Sequence, residues 1–131
     1  RSPDETQRAA FRKYLTDTII RLWQVFEREF QRLVWVNVDA HDMPVAYQQD
    51  YMRRILQDAC GFGGAKIIRR VIGLAGVADI RGIEAVTDRS VAASLALNIG
   101  QALIKGRHSV TTIESLVDLA VSCKPSYPWI G

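Results

Sequence analysis

The chain has 131 residues, enough for one domain that buries roughly two thirds of its unfolded surface, and is 48% hydrophobic and 24% charged. That balance excludes an intrinsically disordered chain, whose apolar content is too low to offset the entropy of ordering. A formal charge of +3, with lysine and arginine interleaved among aspartate and glutamate, gives no nucleic-acid footprint, and no run approaches the roughly 20 apolar residues of a membrane span.

The segment 1–12 is polar where a signal peptide would be apolar, and Cys60 and Cys123 have neither metal-ligand spacing nor the density of a disulfide scaffold. A cytoplasmic protein is expected, without bound metal. From Phe11 the apolar residues fall at Phe11, Leu15, Ile19, Leu22, Phe26, Phe30 and Leu33, in steps of four, four, three, four, four and three. This is the repeat of one face of a long amphipathic helix. Val34-Trp35-Val36-Asn37-Val38 alternates weakly, yet a lone strand has no partner here, so it reads as the helix end and a loop.

Asp42 and Pro44 mark a stop and a restart, after which Tyr47, Met52, Ile55, Leu56 and Ala59 carry a second helix to about Cys60. Gly61-Phe62-Gly63-Gly64 reads as a flexible elbow that serves close helix packing; neither a dinucleotide nor a P-loop spacing fits it. Beyond it, residues 65–74 form a helix apolar over most of its circumference, which places it centrally. Asp79 opens a short turn, and Val91, Leu95, Ile99, Ala102 and Leu103 continue a helix from Thr87 that Gly106 ends. Thr111 and Glu114 predict a capping box for a last helix whose Leu116, Val117 and Ala120 face inward. The chain thus reads as one all-α domain of five to six helices, with residues 1–8 and 124–131 as loose ends.

Arg69 and Arg70 do not fit a plain bundle. Adjacent helical residues point about 100° apart, so in a largely covered helix both guanidiniums cannot turn cleanly to water. An unpaired buried cation is costly, and at least one is expected to face an anion. Two partners stay open: a carboxylate of a neighbouring helix, or a phosphate matched to the guanidinium fork. His41-Asp42 reads as a turn or cap, His108 as a cation near a helix end, and Trp23 and Trp35 as core or interface anchors.

Residues 61–80, GFGGAKIIRRVIGLAGVADI, resemble the C-terminal part of S-methyl-5-thioribose kinases, in which a Gly-rich stretch leads into a helix with twin arginines and a GLAxVAD segment. LWQVFEREF at 22–30 and ALNIGQALIKGR within 95–107 resemble the flanking helices. The resemblance implies the helical C-terminal subdomain of a protein-kinase-like fold of the aminoglycoside and choline kinase type. The implied reaction transfers the ATP γ-phosphoryl, with Mg²⁺, to the anomeric hydroxyl of methylthioribose. It places Arg69 and Arg70 beside substrate and transferring phosphoryl, and it implies a homodimer. No motif for the nucleotide lobe, its lysine, a catalytic aspartate or a Mg²⁺ carboxylate occurs in the chain. The chain is therefore expected to be a fragment that binds no ATP or Mg²⁺ alone, is inactive by itself, and has the missing N-terminal kinase lobe as its partner. The competing reading is a non-enzymatic helical interaction module whose arginines hold a carboxylate network.

Overall fold

A steep apolar period with proline and acidic residues at its start produces the first element. In the computed structural model, which describes residues 3–35, 43–72 and 86–125, helix α1 runs Pro3–Val34. Proline suits the first helical position because its missing N–H would have no partner there, and Asp4 and Glu5 in the first turn complement the positive end of the helix dipole. These features draw most of the expected loose end 1–8 into the helix. Three further α-helices follow among the described residues: α2 (Val45–Ile72), α3 (Val86–Gly106) and α4 (Ile113–Val121), with a 3₁₀ turn at Arg107–Ser109 before the last. No strand occurs among these residues, and no helix is long and apolar enough to cross a membrane. The chain divides into two compact units, Arg1–Met52 and Arg53–Gly131.

The first unit is held by aromatic rings. Tyr51 stacks on Phe30 at 5.9 Å and meets the edge of Trp35 at 5.4 Å, while Trp35 also meets Tyr47 at 6.5 Å. Offset and edge-to-face arrangements at these distances suit the quadrupoles of the rings. Half-buried Trp35 thus anchors this ring cluster, although its buried indole N–H has no acceptor among the described residues. The ring contact between α2 and α1 falls near the C-terminal end of α1, at Phe30. Much of the rest of the predicted apolar face, including Phe11 at 62% and Leu22 at 70% exposure, lies open instead of forming core.

The second unit packs the rest of α2 against α3, with α4 closing the end. Leu56, Cys60, Leu103, Val110, Ile113 and Val117 are buried. Gln57 Nε2 donates to the Val110 carbonyl at 3.0 Å, and Asn98 Nδ2 to the Lys124 carbonyl at 2.8 Å, so the loops around α4 are tied to α2 and α3.

Two local expectations need correction. The glycine elbow does not exist: α2 is continuous through Gly61, Gly63 and Gly64. Glycine is tolerated inside this helix because Gly64 is a contact point, where an added Cβ would stand 2.5 Å from the Gly100 carbonyl oxygen of α3. The reciprocal Cβ on Gly100 would stand 2.9 Å from the Gly64 oxygen and 2.7 Å from Ile68 Cγ1. The two backbones touch here, as the expectation of close packing required, but within an unbroken helix.

The second correction concerns the last helix, whose capping box is Thr112 with Ser115, one residue later than expected. Thr112 Oγ1 accepts from the Ser115 N–H at 3.1 Å, and Ser115 Oγ accepts from the Thr112 N–H at 3.0 Å. Burial of Ile113 and Val117, four residues apart on one face, sets that register and leaves Glu114 exposed. The end of α3 at Gly106 is as expected.

Candidate functional site

The last third of α2 carries the twin arginines, and its pattern of exposure decides how they are held. Gly64 is buried, Ile67, Ile68 and Val71 are half-buried, and Ala65, Lys66, Arg69, Arg70 and Ile72 are exposed. One side of the helix rests on α3 and the other is open. The expectation of a central helix covered most of the way round is therefore overturned. The Gly64 and Ile68 side meets α3, while both arginines are exposed to solvent.

Among the described residues neither arginine is ion-paired. Exposure removes the need for an anion opposite them, since a hydrated guanidinium is not desolvated. Their placement has a simpler favourable term: both lie in the last turn of α2, where cations complement the negative end of the helix dipole and its unsatisfied carbonyls. Two adjacent forks, unengaged by carboxylate among the described residues, remain free to take anionic oxygens. The continuation that the resemblance drew on, GLAGVAD at 73–79, lies outside the described residues, as do His41, Asp42, Asp79 and Trp129.

About two turns back along α2 stands an arginine that sequence reading passed over. Arg107, in the 3₁₀ turn after α3, is half-buried, and its Nη1 donates to the Ile104 carbonyl at 2.6 Å. Gly61 makes room for it: an added Cβ would approach Arg107 Cδ at 3.1 Å. With Asp58, Gly61, Phe62, Ala65 and Ile104 it lines an open cleft of about 310 Å³ that includes neither Arg69 nor Arg70. Nothing in Lys105-Gly106-Arg107 distinguishes it in sequence from an ordinary basic helix end.

Cys60, buried beside this cleft, donates its thiol to the Leu103 carbonyl at 3.3 Å. Burial pushes the Cys60 thiol above its ordinary value, and the Arg107 guanidinium pulls it part of the way back. The thiol is therefore a packing group at neutral pH. His108 is exposed in the 3₁₀ turn, at the helix end where it was expected. No cluster of three metal-ligating side chains occurs among the described residues.

The fold and these side chains define an all-helical chain whose candidate chemistry is anion recognition by guanidinium groups. No protein-family model matches it. Its relatives among known proteins are methylthioribose kinases. The chain is 33% identical over 122 residues to methylthioribose kinase 2 of Oryza sativa subsp. japonica, a match covering 84% of this chain and 29% of that protein. It is 41% identical over 105 residues to the methylthioribose kinase of Geobacillus kaustophilus (strain HTA426), covering 79% of this chain and 26% of the relative. With the methylthioribose kinase of Citrobacter koseri the figures are 34% over 110 residues, 83% and 27%. The chain is thus a sequence relative of the methylthioribose kinases and spans little more than a quarter of the length of the relatives it matches.

Proposed function

We propose that this chain is the substrate-side helical part of a kinase that transfers the ATP γ-phosphoryl to the 1-hydroxyl of S-methyl-5-thioribose, in methionine salvage in the cytoplasm. The observation that carries this reading is 33% to 41% identity to methylthioribose kinases over about four fifths of the chain. The structure adds two exposed guanidiniums side by side at the end of α2. In phosphoryl transfer the protein contributes positioning and charge stabilisation, and an arginine aimed at the moving phosphoryl contributes about 10³ to 10⁵ in rate. Arg69 and Arg70 hold substrate and phosphoryl oxygens in this reading. ATP and Mg²⁺ are bound by a nucleotide lobe supplied by the remainder of the polypeptide, and the isolated chain is inactive.

The alternative of a non-enzymatic module needs a carboxylate network around the two arginines, and none contacts them among the described residues. The test uses the complete gene product with ATP, Mg²⁺ and S-methyl-5-thioribose. Arg69→Ala and Arg70→Ala should each lower kcat by about 10³-fold, with little loss of melting temperature because both side chains are exposed. Lysine should rescue poorly, since the bidentate fork is lost. Wild-type turnover in both alanine variants refutes the role, and absence of any methylthioribose phosphorylation by the wild type refutes the function.

A further inference from the structure

The contact between Gly64 and Gly100 lies about one and a half turns before the twin arginines, on the same unbroken helix. Ile68 sits over Gly100, whose missing Cβ would lie 2.7 Å from Ile68 Cγ1 and 3.3 Å from Ile68 Cδ1. Arg69 is the next residue. The final turns of α2 therefore rest on α3 at a point where no side chain other than hydrogen fits, and that seat fixes the height of the turn that carries both guanidiniums. Gly64 and Arg69 are about 7.5 Å apart along the helix axis, too short a distance for a straight helix to absorb a displacement.

We infer that Gly100 is a positioning residue for phosphoryl transfer: by letting α2 sit directly on the backbone of α3 it sets where Arg69 and Arg70 present their charge. This rests on the kinase reading above and extends it to a residue that does not touch substrate. A methyl group on Gly100 meets the Gly64 carbonyl oxygen at 2.9 Å and Ile68 Cγ1 at 2.7 Å, against an ordinary contact of 3.4 Å or more. The Ile68 side chain yields in part; the Gly64 oxygen is backbone, so α2 itself must shift. A shift approaching 1 Å at groups aligned for transfer costs up to about 100-fold in rate. The sites that bind ATP lie, in this reading, outside the chain and are untouched.

The experiment compares Gly100→Ala with Gly106→Ala in the complete gene product, following kcat, KM for ATP and melting temperature. Gly106 is a matched control. A Cβ there meets Leu119 Cδ2 at 2.9 Å, a similar overlap, but against α4 and at the flexible end of a side chain. The expected result is a 10- to 100-fold fall in kcat for Gly100→Ala with KM for ATP within about twofold, and near wild-type kcat for Gly106→Ala. Adding Ile68→Ala to Gly100→Ala removes the Cγ1 and Cδ1 contacts and should restore part of the kcat.

If Gly100→Ala lowers the melting temperature but leaves kcat at the wild-type value, the inference is overturned while the arginine reading stands. Wild-type kcat in Arg69→Ala and Arg70→Ala removes both. Should Gly100→Ala not fold, Ile68→Ala alone serves, because it empties the seat instead of overfilling it. A kcat reduced about tenfold is expected, and an unchanged kcat overturns the inference.

Discussion

Gly63 and Gly64 are neighbours in the same helix with the same propensity, yet alanine should act on them with opposite sign. Replacing glycine by alanine in a helix interior gains about 0.8 to 1.0 kcal/mol by reducing the freedom of the unfolded chain. At Gly63 nothing lies within 4 Å of the new methyl group, so Gly63→Ala should realise that gain and raise the melting temperature by about 4 to 8 °C in a unit of this size. At Gly64 the methyl meets the Gly100 oxygen at 2.5 Å, Ile104 Cγ1 at 3.0 Å and Leu103 Cβ at 3.1 Å. The nearest of these is backbone, so the two helices must part by most of an ångström, and overpacking of this kind costs about 1 to 3 kcal/mol beyond what propensity returns. The difference between the two variants isolates the helix contact, because propensity cancels. Thermal melts followed by circular dichroism, with urea titration as a check, measure it. A Gly64→Ala protein as stable as Gly63→Ala would show that α2 and α3 do not touch backbone to backbone, and the positioning inference would fall with it.

Three further outcomes follow from other parts of the structure. Thr112→Ala and Ser115→Ala should each cost about 1 kcal/mol, since each removes one arm of the capping box. Glu114→Ala should change stability by a few tenths of a kcal/mol, a dipole contribution only, and urea midpoints distinguish the two cases. Cys60 should resist a thiol reagent at pH 7.5 under conditions that label Cys123, because Cys60 is buried and its thiol value is raised. An acid raised on folding stabilises the native state below its unfolded value. The contribution of Cys60 should therefore be intact below the ordinary thiol value of 9.0 and lost as pH rises further through the folded value, with the loss absent in Cys60→Ala. Finally, Tyr51→Leu should destabilise the first unit by about 1 to 3 kcal/mol through loss of its ring contacts with Phe30 and Trp35, read from tryptophan fluorescence during denaturation.

Helical period and end signals made the all-α class legible, but not what each helix leans on. The four-four-three apolar steps of α1 specify a face and say nothing of whether a partner lies against it; Phe30 meets Tyr51 of α2, while Phe11, Leu15, Ile19 and Leu22 are exposed. Glycine was misread for a related reason. In sequence a cluster of glycines signals freedom, whereas Gly64 is in the helix because a neighbouring backbone occupies the space a side chain would need. Propensity is local, and that contact joins residues 36 positions apart. The cap of α4 slipped by one residue for a smaller cause: threonine stands at both 111 and 112, and a serine hydroxyl at 115 closes the box as well as a carboxylate at 114 would.

The expected environment of Arg69 and Arg70 did not follow from their residue type and neighbours. Arg69 and Arg70 stood out because Ile67, Ile68, Val71 and Ile72 surround them, and from that composition burial and then an anion seemed to follow. Three of those apolar residues are half-buried and Ile72 is 70% exposed, so the inference from greasy neighbours to a desolvated charge fails at its first step. What takes its place is a mechanical relation that composition hides. An elbow at residues 61–64 would have uncoupled the arginines from the glycines, letting each find its own position. A continuous α2 instead carries Gly64 and the two guanidiniums on one helix, with Gly64 seated on Gly100 of α3, so in the inference drawn above the residues that set the geometry of the charge are ones that carry none.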